Sequence, residues 1–253
     1  PSNVEKSIIT FPKGAQAGIF LHGIFEELDF SNPSVEKIGE LAGTGLERYN
    51  FDKTWLPCIV KMVQDVLETP IDPQDATFTL GSLRTNSWIT ELEFYFPLRF
   101  VTSTRLAGVL RDHGVLPGGT DLASLASILQ FTPAKGMLMG FMDMVFERNG
   151  RYYLLDWKSN HLGNSIDDYG PEAMMAAMQH NLYPLQYLLY TVALNRYLST
   201  RVENYRYGTH FGGVIYVFLR GVQRERGWSR GFYRDLPPEA LIVELANLLI
   251  GEE

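Results

Sequence analysis

Asp156 and Lys158 stand two residues apart near the end of the segment "YYLLDWKSN" (152–160). On a strand, alternate side chains share a face, so this spacing presents an acid and a base together. Taken alone, Asp-x-Lys is a common tripeptide and most often a solvated ion pair. The segment before it changes that reading. Asn149-Gly150 lies between two alternating segments, 137–147 and 151–159, and is the strongest short-range signal for a hairpin. With these two as loop residues, or with a four-residue loop over 148–151, Arg148 faces Arg151 and Asp143 falls opposite Asp156. A three-residue loop would slip the pairing by one. Phe141 then faces Lys158.

Two carboxylates about 5 Å apart repel by roughly 3 kcal/mol at an effective dielectric near 20. Such a pair needs a cation, a shared proton or a positive neighbour. Hard oxygen ligands with room for water suit Mg²⁺ or Mn²⁺. A lysine beside them can orient or deprotonate water, or offset charge building on a phosphoryl group. The pattern therefore points to metal-dependent phosphodiester hydrolysis.

The elements that must position these residues are readable from periodicity. Residues 17–28 and 55–70 have the spacing of amphipathic helices. Residues 87–100 alternate and are aromatic and β-branched, as a strand requires. Residues 105–130 are mixed, with a Gly-Gly break before a short helix. Residues 184–198 predict a strong helix with Pro184 in its first turn, 210–221 a strand and 238–250 a closing helix. Residues 1–15 carry little periodicity and predict a linker or tail from a larger chain, as does a start at Pro1. Residues 16–253 predict one α/β domain, a mixed sheet flanked by helices.

The 253 residues are 45% hydrophobic and 13% aromatic, a globular composition. Charge interrupts every apolar run short of a membrane-spanning length. A single cysteine, Cys58, excludes an internal disulfide framework and cysteine-held zinc or iron–sulfur sites, and a reducing cytoplasmic setting is expected. The net charge of -7 is unlike the usual basic footprint of a nucleic-acid binder. The segment 220–234, however, holds Arg220, Arg224, Arg226, Arg230 and Arg234 against one acid, Glu225. It reads either as a solvated loop or as a loop facing phosphates.

The stretch "GFMDMVFERNGRYYLLDWKSN" resembles the nuclease motif of the RecB family, within the PD-(D/E)xK superfamily, whose fold is restriction-endonuclease-like. The likeness extends in order through "FPKGAQAGIFLHGIFEELDF", "ELEFY", "PLQYLLY" and "HFGGVIYVFLRG", so it covers nearly the whole chain. The resemblance implies that Asp143 and Asp156 bind metal, with His22 completing the site and the backbone carbonyl of Trp157 as a further ligand. Without it, a lone histidine among Leu and Phe reads as a core residue. Lys158 matches the catalytic lysine. Glu91 matches an acid on an earlier strand, with Glu93 on the same face as the alternative. Gln186 and Tyr190 reproduce a Q-x-x-x-Y motif whose i,i+4 spacing puts both on one helix face, near metal and DNA in the family. Tyr183, Tyr187 and Tyr197 read as core or rim. Met142 stands where the superfamily name has proline, which leaves the chemistry intact.

The resemblance further implies a Mg²⁺-dependent deoxyribonuclease of exodeoxyribonuclease V type, with Mn²⁺ or Ca²⁺ able to replace Mg²⁺ in binding. It implies single-stranded DNA as substrate, RecC and RecD as companion subunits, contact with RecA, and ATP-driven unwinding elsewhere. Roles in recombination and double-strand break repair follow. No Walker A motif is present in the chain. Two rivals remain: a catalytically silent DNA-binding or RecA-recruiting module, and a phosphatase acting on small esters. The first leaves filled polar positions unused, and the second gives Gln186, Tyr190 and the arginines no role.

Overall fold

The computed structural model describes residues 6–250. Five strands form one sheet in the order β1-β2-β3-β4-β5: β1 Trp88–Val101, β2 Ala134–Arg148, β3 Arg151–Lys158, β4 Phe211–Phe218 and β5 Phe232–Asp235. Helices α1 (Ala15–Glu27), α2 (Val35–Arg48) and α3 (Leu56–Glu68) precede the sheet. α4 (Ser103–Asp112) and α5 (Leu122–Ile128) separate β1 from β2. α6 (Pro171–His180), α7 (Tyr183–Arg201) and the single turn α8 (Tyr207–His210) separate β3 from β4, and α9 (Glu239–Leu249) ends the described chain. The α/β class and the flanked sheet agree with the sequence. α2, α6 and β5 were not marked by periodicity.

Strand directions follow from local contacts. β2 and β3 are antiparallel, paired from Met144↔Leu155 to Arg148↔Arg151. That is the register expected from the Asn149-Gly150 turn. Both turn residues have positive φ, 52° and 78°, as a type I′ hairpin demands. Asp143 comes one residue before Met144 on β2, and Asp156 one residue after Leu155 on β3. β3 and β4 run parallel: Arg151 at the start of one donates to the Phe211 carbonyl at the start of the other, while Arg220 beyond the end of β4 donates to the Ser159 carbonyl beyond the end of β3. A parallel pair needs a long crossover, and α6–α8 supply it. β5 is antiparallel to β4, since the Phe218 amide donates to the Gly231 carbonyl just before β5 begins. The sheet is therefore mixed.

The described residues divide into two compact units: residues 6–88, 156–174 and 216–233, and residues 89–155, 175–215 and 234–250. In the first, α1 packs on α2 and α2 on α3. Its core joins Phe11, Phe20, Phe25, Phe30 and Trp157, all essentially buried. Phe25 stacks on Trp157 at 4.2 Å and Phe30 lies parallel to it at 6.5 Å. In the second, α9 packs on α4 and α7, and Tyr187 Oη donates to Asp235 at 2.6 Å. Residues 6–14, expected within a tail, form no regular element, yet Ile8, Ile9 and Phe11 are buried in the first unit. Among the described residues no helix is long and apolar enough to cross a membrane.

Candidate active site

In the first unit the structure brings His22, Asp156 and Lys158 together. β3 is buried from Tyr153 onward because both of its faces are covered. Its alternation sends Trp157 into the aromatic core and puts Asp156 and Lys158 on the other face. Both are buried, and their side chains form an ion pair. The Lys158 ammonium also lies over the Tyr216 ring of β4, 4.9 Å from its centroid. His22 projects from α1, half-buried, between Leu21 and Ile24, which anchor the helix in the core. Burial holds the imidazole below the ordinary histidine value; the Asp156 charge opposes this and the Lys158 charge adds to it. His22 is thus kept neutral and able to offer a nitrogen lone pair.

Gly18 lies one turn before His22 on the same face of α1. A Cβ there would sit 3.0 Å from Ser159 Oγ, so glycine lets the helix approach the end of β3.

In the second unit, Gln186 Nε2 donates to Tyr190 Oη at 3.2 Å, as the i,i+4 spacing on α7 predicts. The Tyr190 ring meets Phe94 of β1 edge-on at 5.2 Å. Phe94 lies over Gly140 of β2, where a Cβ would come within 2.9 Å of two ring carbons. Tyr187 is fully buried, as its core assignment required. Asp143 is half-buried on β2. Glu91 and Glu93 are both exposed on β1. Glu91 has φ 50°, a left-handed conformation uncommon for a residue with a side chain. Burial alternates along this part of β1, with Ile89, Glu91, Glu93 and Tyr95 exposed in turn.

The donor types suit a hard divalent cation: a buried carboxylate with a cationic partner and an imidazole kept neutral. Among the described residues, however, no three His, Cys, Asp or Glu side chains gather closely enough to hold a metal ion.

The arginine segment does not form a phosphate-facing row. Arg220 is buried and bonded to backbone carbonyls, Arg224 pairs with Glu68, and Arg230 pairs with Asp167 at 2.9 Å. Arg226 is exposed. The carbonyl-binding role of Arg220 is not legible in the sequence, since no residue type marks a backbone acceptor.

No protein-family model matches the chain. Curated proteins do. The RecBCD enzyme subunit RecB of Escherichia coli K12 is 40% identical over 258 residues, covering 99% of this chain and 20% of the relative. The Haemophilus influenzae Rd subunit is 36% identical over 243 residues, 95% of this chain and 19% of its own. That of Mycobacterium tuberculosis H37Rv is 31% identical over 275 residues, 98% and 25%. The chain spans about a fifth to a quarter of the length of these relatives.

Proposed function

The chain belongs to the RecB family, and from that premise we propose that it is a metal-dependent nuclease hydrolysing phosphodiester bonds of single-stranded DNA within a RecBCD-type helicase–nuclease. The observation that supports this most is the buried Asp156–Lys158 pair beneath a histidine kept neutral. A buried ion pair costs desolvation and is weak evidence for stability. Its place at the end of a covered strand is better accounted for by chemistry.

In this reading Asp156 and His22 would hold a divalent cation, with Mg²⁺ the proposed ion. Asp143, Glu91 and the Trp157 carbonyl keep the ligand roles that the family match implies. A bound cation would supply Lewis-acid polarisation of a phosphoryl oxygen and a more acidic water. Lys158 directs its N–H donors to the phosphoryl oxygen that gains charge as water attacks and the P–O bond breaks. Asp156 and the Tyr216 face hold that ammonium in place. Gln186 and Tyr190, braced by Phe94, contact the DNA strand. RecC, RecD and RecA are proposed partners, and cytoplasmic repair and recombination the proposed setting, on family membership alone.

The test is cleavage of a labelled single-stranded oligonucleotide with Mg²⁺, comparing wild type with Asp156→Asn. Activity in wild type that disappears in the variant supports the reading; equal activity in both sinks it. A silent DNA-binding module is the second reading, favoured by the absence of a ready three-donor cluster among the described residues. It predicts no cleavage and no heat on titration with Mn²⁺.

A further inference from the structure

We propose that Arg220 is a positioning residue for the Asp156–Lys158 pair, a role that rests on the nuclease reading above. The 3₁₀ turn Leu219–Gly221 directly after β4 curls Arg220 inward, where only 1% of its surface is exposed. Its planar fork then joins two parts of the first unit. Nε donates to the Ser159 carbonyl at 2.9 Å. Nη1 donates to the carbonyls of Ile8 at 2.9 Å and Phe11 at 2.7 Å, and more weakly to Ile9 at 3.4 Å. Nη2 donates to the Pro12 carbonyl at 2.6 Å. Residues 8–12 lie outside helix and strand, so their buried carbonyls need partners from elsewhere. One guanidinium supplies them and holds the residue that follows Lys158.

Ser159 is fixed from two sides. Arg220 holds its carbonyl, and its hydroxyl lies so near α1 that a Cβ added at Gly18, one turn from His22, would sit 3.0 Å from it. The end of β3 and the turn of α1 that leads to His22 are therefore neighbours at Ser159. Lysine cannot replace this arginine. An ammonium carries its donors on one atom, whereas the fork spreads five over a fixed plane. A shift of about 1 Å in a reacting group can cost on the order of 10²-fold in rate, so a slackened strand end would be read in turnover.

The experiment uses the protein with Mg²⁺ and a single-stranded oligonucleotide, measuring kcat and KM per folded molecule well below the melting temperature. Arg220→Lys is expected to lose about 10- to 100-fold in kcat with KM within about twofold. Arg226→Lys, at an exposed position of the same segment, is expected to match wild type. An independent arm is Gly18→Ala, expected to lower kcat, combined with Ser159→Ala, which removes the clashing Oγ and is expected to restore it. A folded Arg220→Lys with wild-type kcat overturns the proposal. If that variant does not fold, the Gly18/Ser159 cycle decides: recovery in the double variant supports positioning, and an additive loss overturns it. A wild type that does not cleave overturns the nuclease reading and this role together. A cleaving wild type with indifferent variants overturns this role alone.

Discussion

Lys158 and Asp156 form their ion pair with side chains only 11% and 2% exposed, two residues apart on a strand covered on both faces. Removing one member of a buried pair leaves the other charge short of its main partner. Such a change typically costs about 3–5 kcal/mol. Asp156→Ala is therefore expected to abolish cleavage and also to lower stability by a few kcal/mol. A combined Asp156→Asn, Lys158→Met variant is expected to regain most of that stability while remaining inactive. Urea melts of the three proteins check this. Full stability in Asp156→Ala would show that the pair is not buried as described.

Gly140→Ala is expected to destabilise the second unit. The new methyl would meet the Phe94 ring at 2.9 Å and Tyr190 at 3.5 Å. Overpacking of this kind costs about 1–3 kcal/mol. Displacing Phe94 also frees the Tyr190 ring, so cleavage is expected to fall more than in Phe94→Leu, which keeps the space. Chemical denaturation paired with an activity assay separates the two effects.

Tyr187→Phe is expected to lose stability and keep activity. The hydroxyl donates to the Asp235 carboxylate at 2.6 Å, which also accepts from the Gly118 and Leu236 amides. A hydrogen bond to a charged group is worth about 1.5–3 kcal/mol. A lowered denaturation midpoint with unchanged kcat is the expected result. A fall in kcat would place Tyr187 with Tyr190 in the site.

Burial pushes the Cys58 thiol up to about 11. At pH 8 roughly one thiol in a thousand is then ionised, and iodoacetamide should label the folded chain slowly. The labelling rate should climb about tenfold per pH unit towards 11, whereas the urea-unfolded chain should follow an ordinary thiol near 8.5. Because the folded value is the raised one, the matching stability is complete below about pH 8.5 and is lost as pH rises towards 11. Fast labelling of the folded chain at pH 7 would contradict the burial of Cys58.

The hairpin was legible because its information is local. Asn149-Gly150 names its own turn, and the turn sets the register from Arg148↔Arg151 to Met144↔Leu155. The i,i+4 pair of Gln186 and Tyr190 was legible for the same reason. α2 was hidden by Gly39, Gly43 and Gly45, which depress helix propensity; Gly45 is needed because a side chain there would strike the Phe20 ring of α1. β5 is four residues long, too short for a pattern. Glu91's positive φ is marked by nothing in its residue type. Arg220 is indistinguishable from surface arginines in the sequence because four of its five carbonyl partners lie 208 to 212 residues away.

That separation has a consequence for synthesis. Residues 8–12 are made some two hundred residues before the arginine that ties them down. Contacts so distant in sequence form late and slow folding. Until Arg220 is made, nothing it now grips can be gripped, and the end of β3 lacks one of its two restraints. A partly translated chain therefore carries its acid and lysine without the fastening that aligns them. The end of β3 takes its final place only once Arg220 has been made.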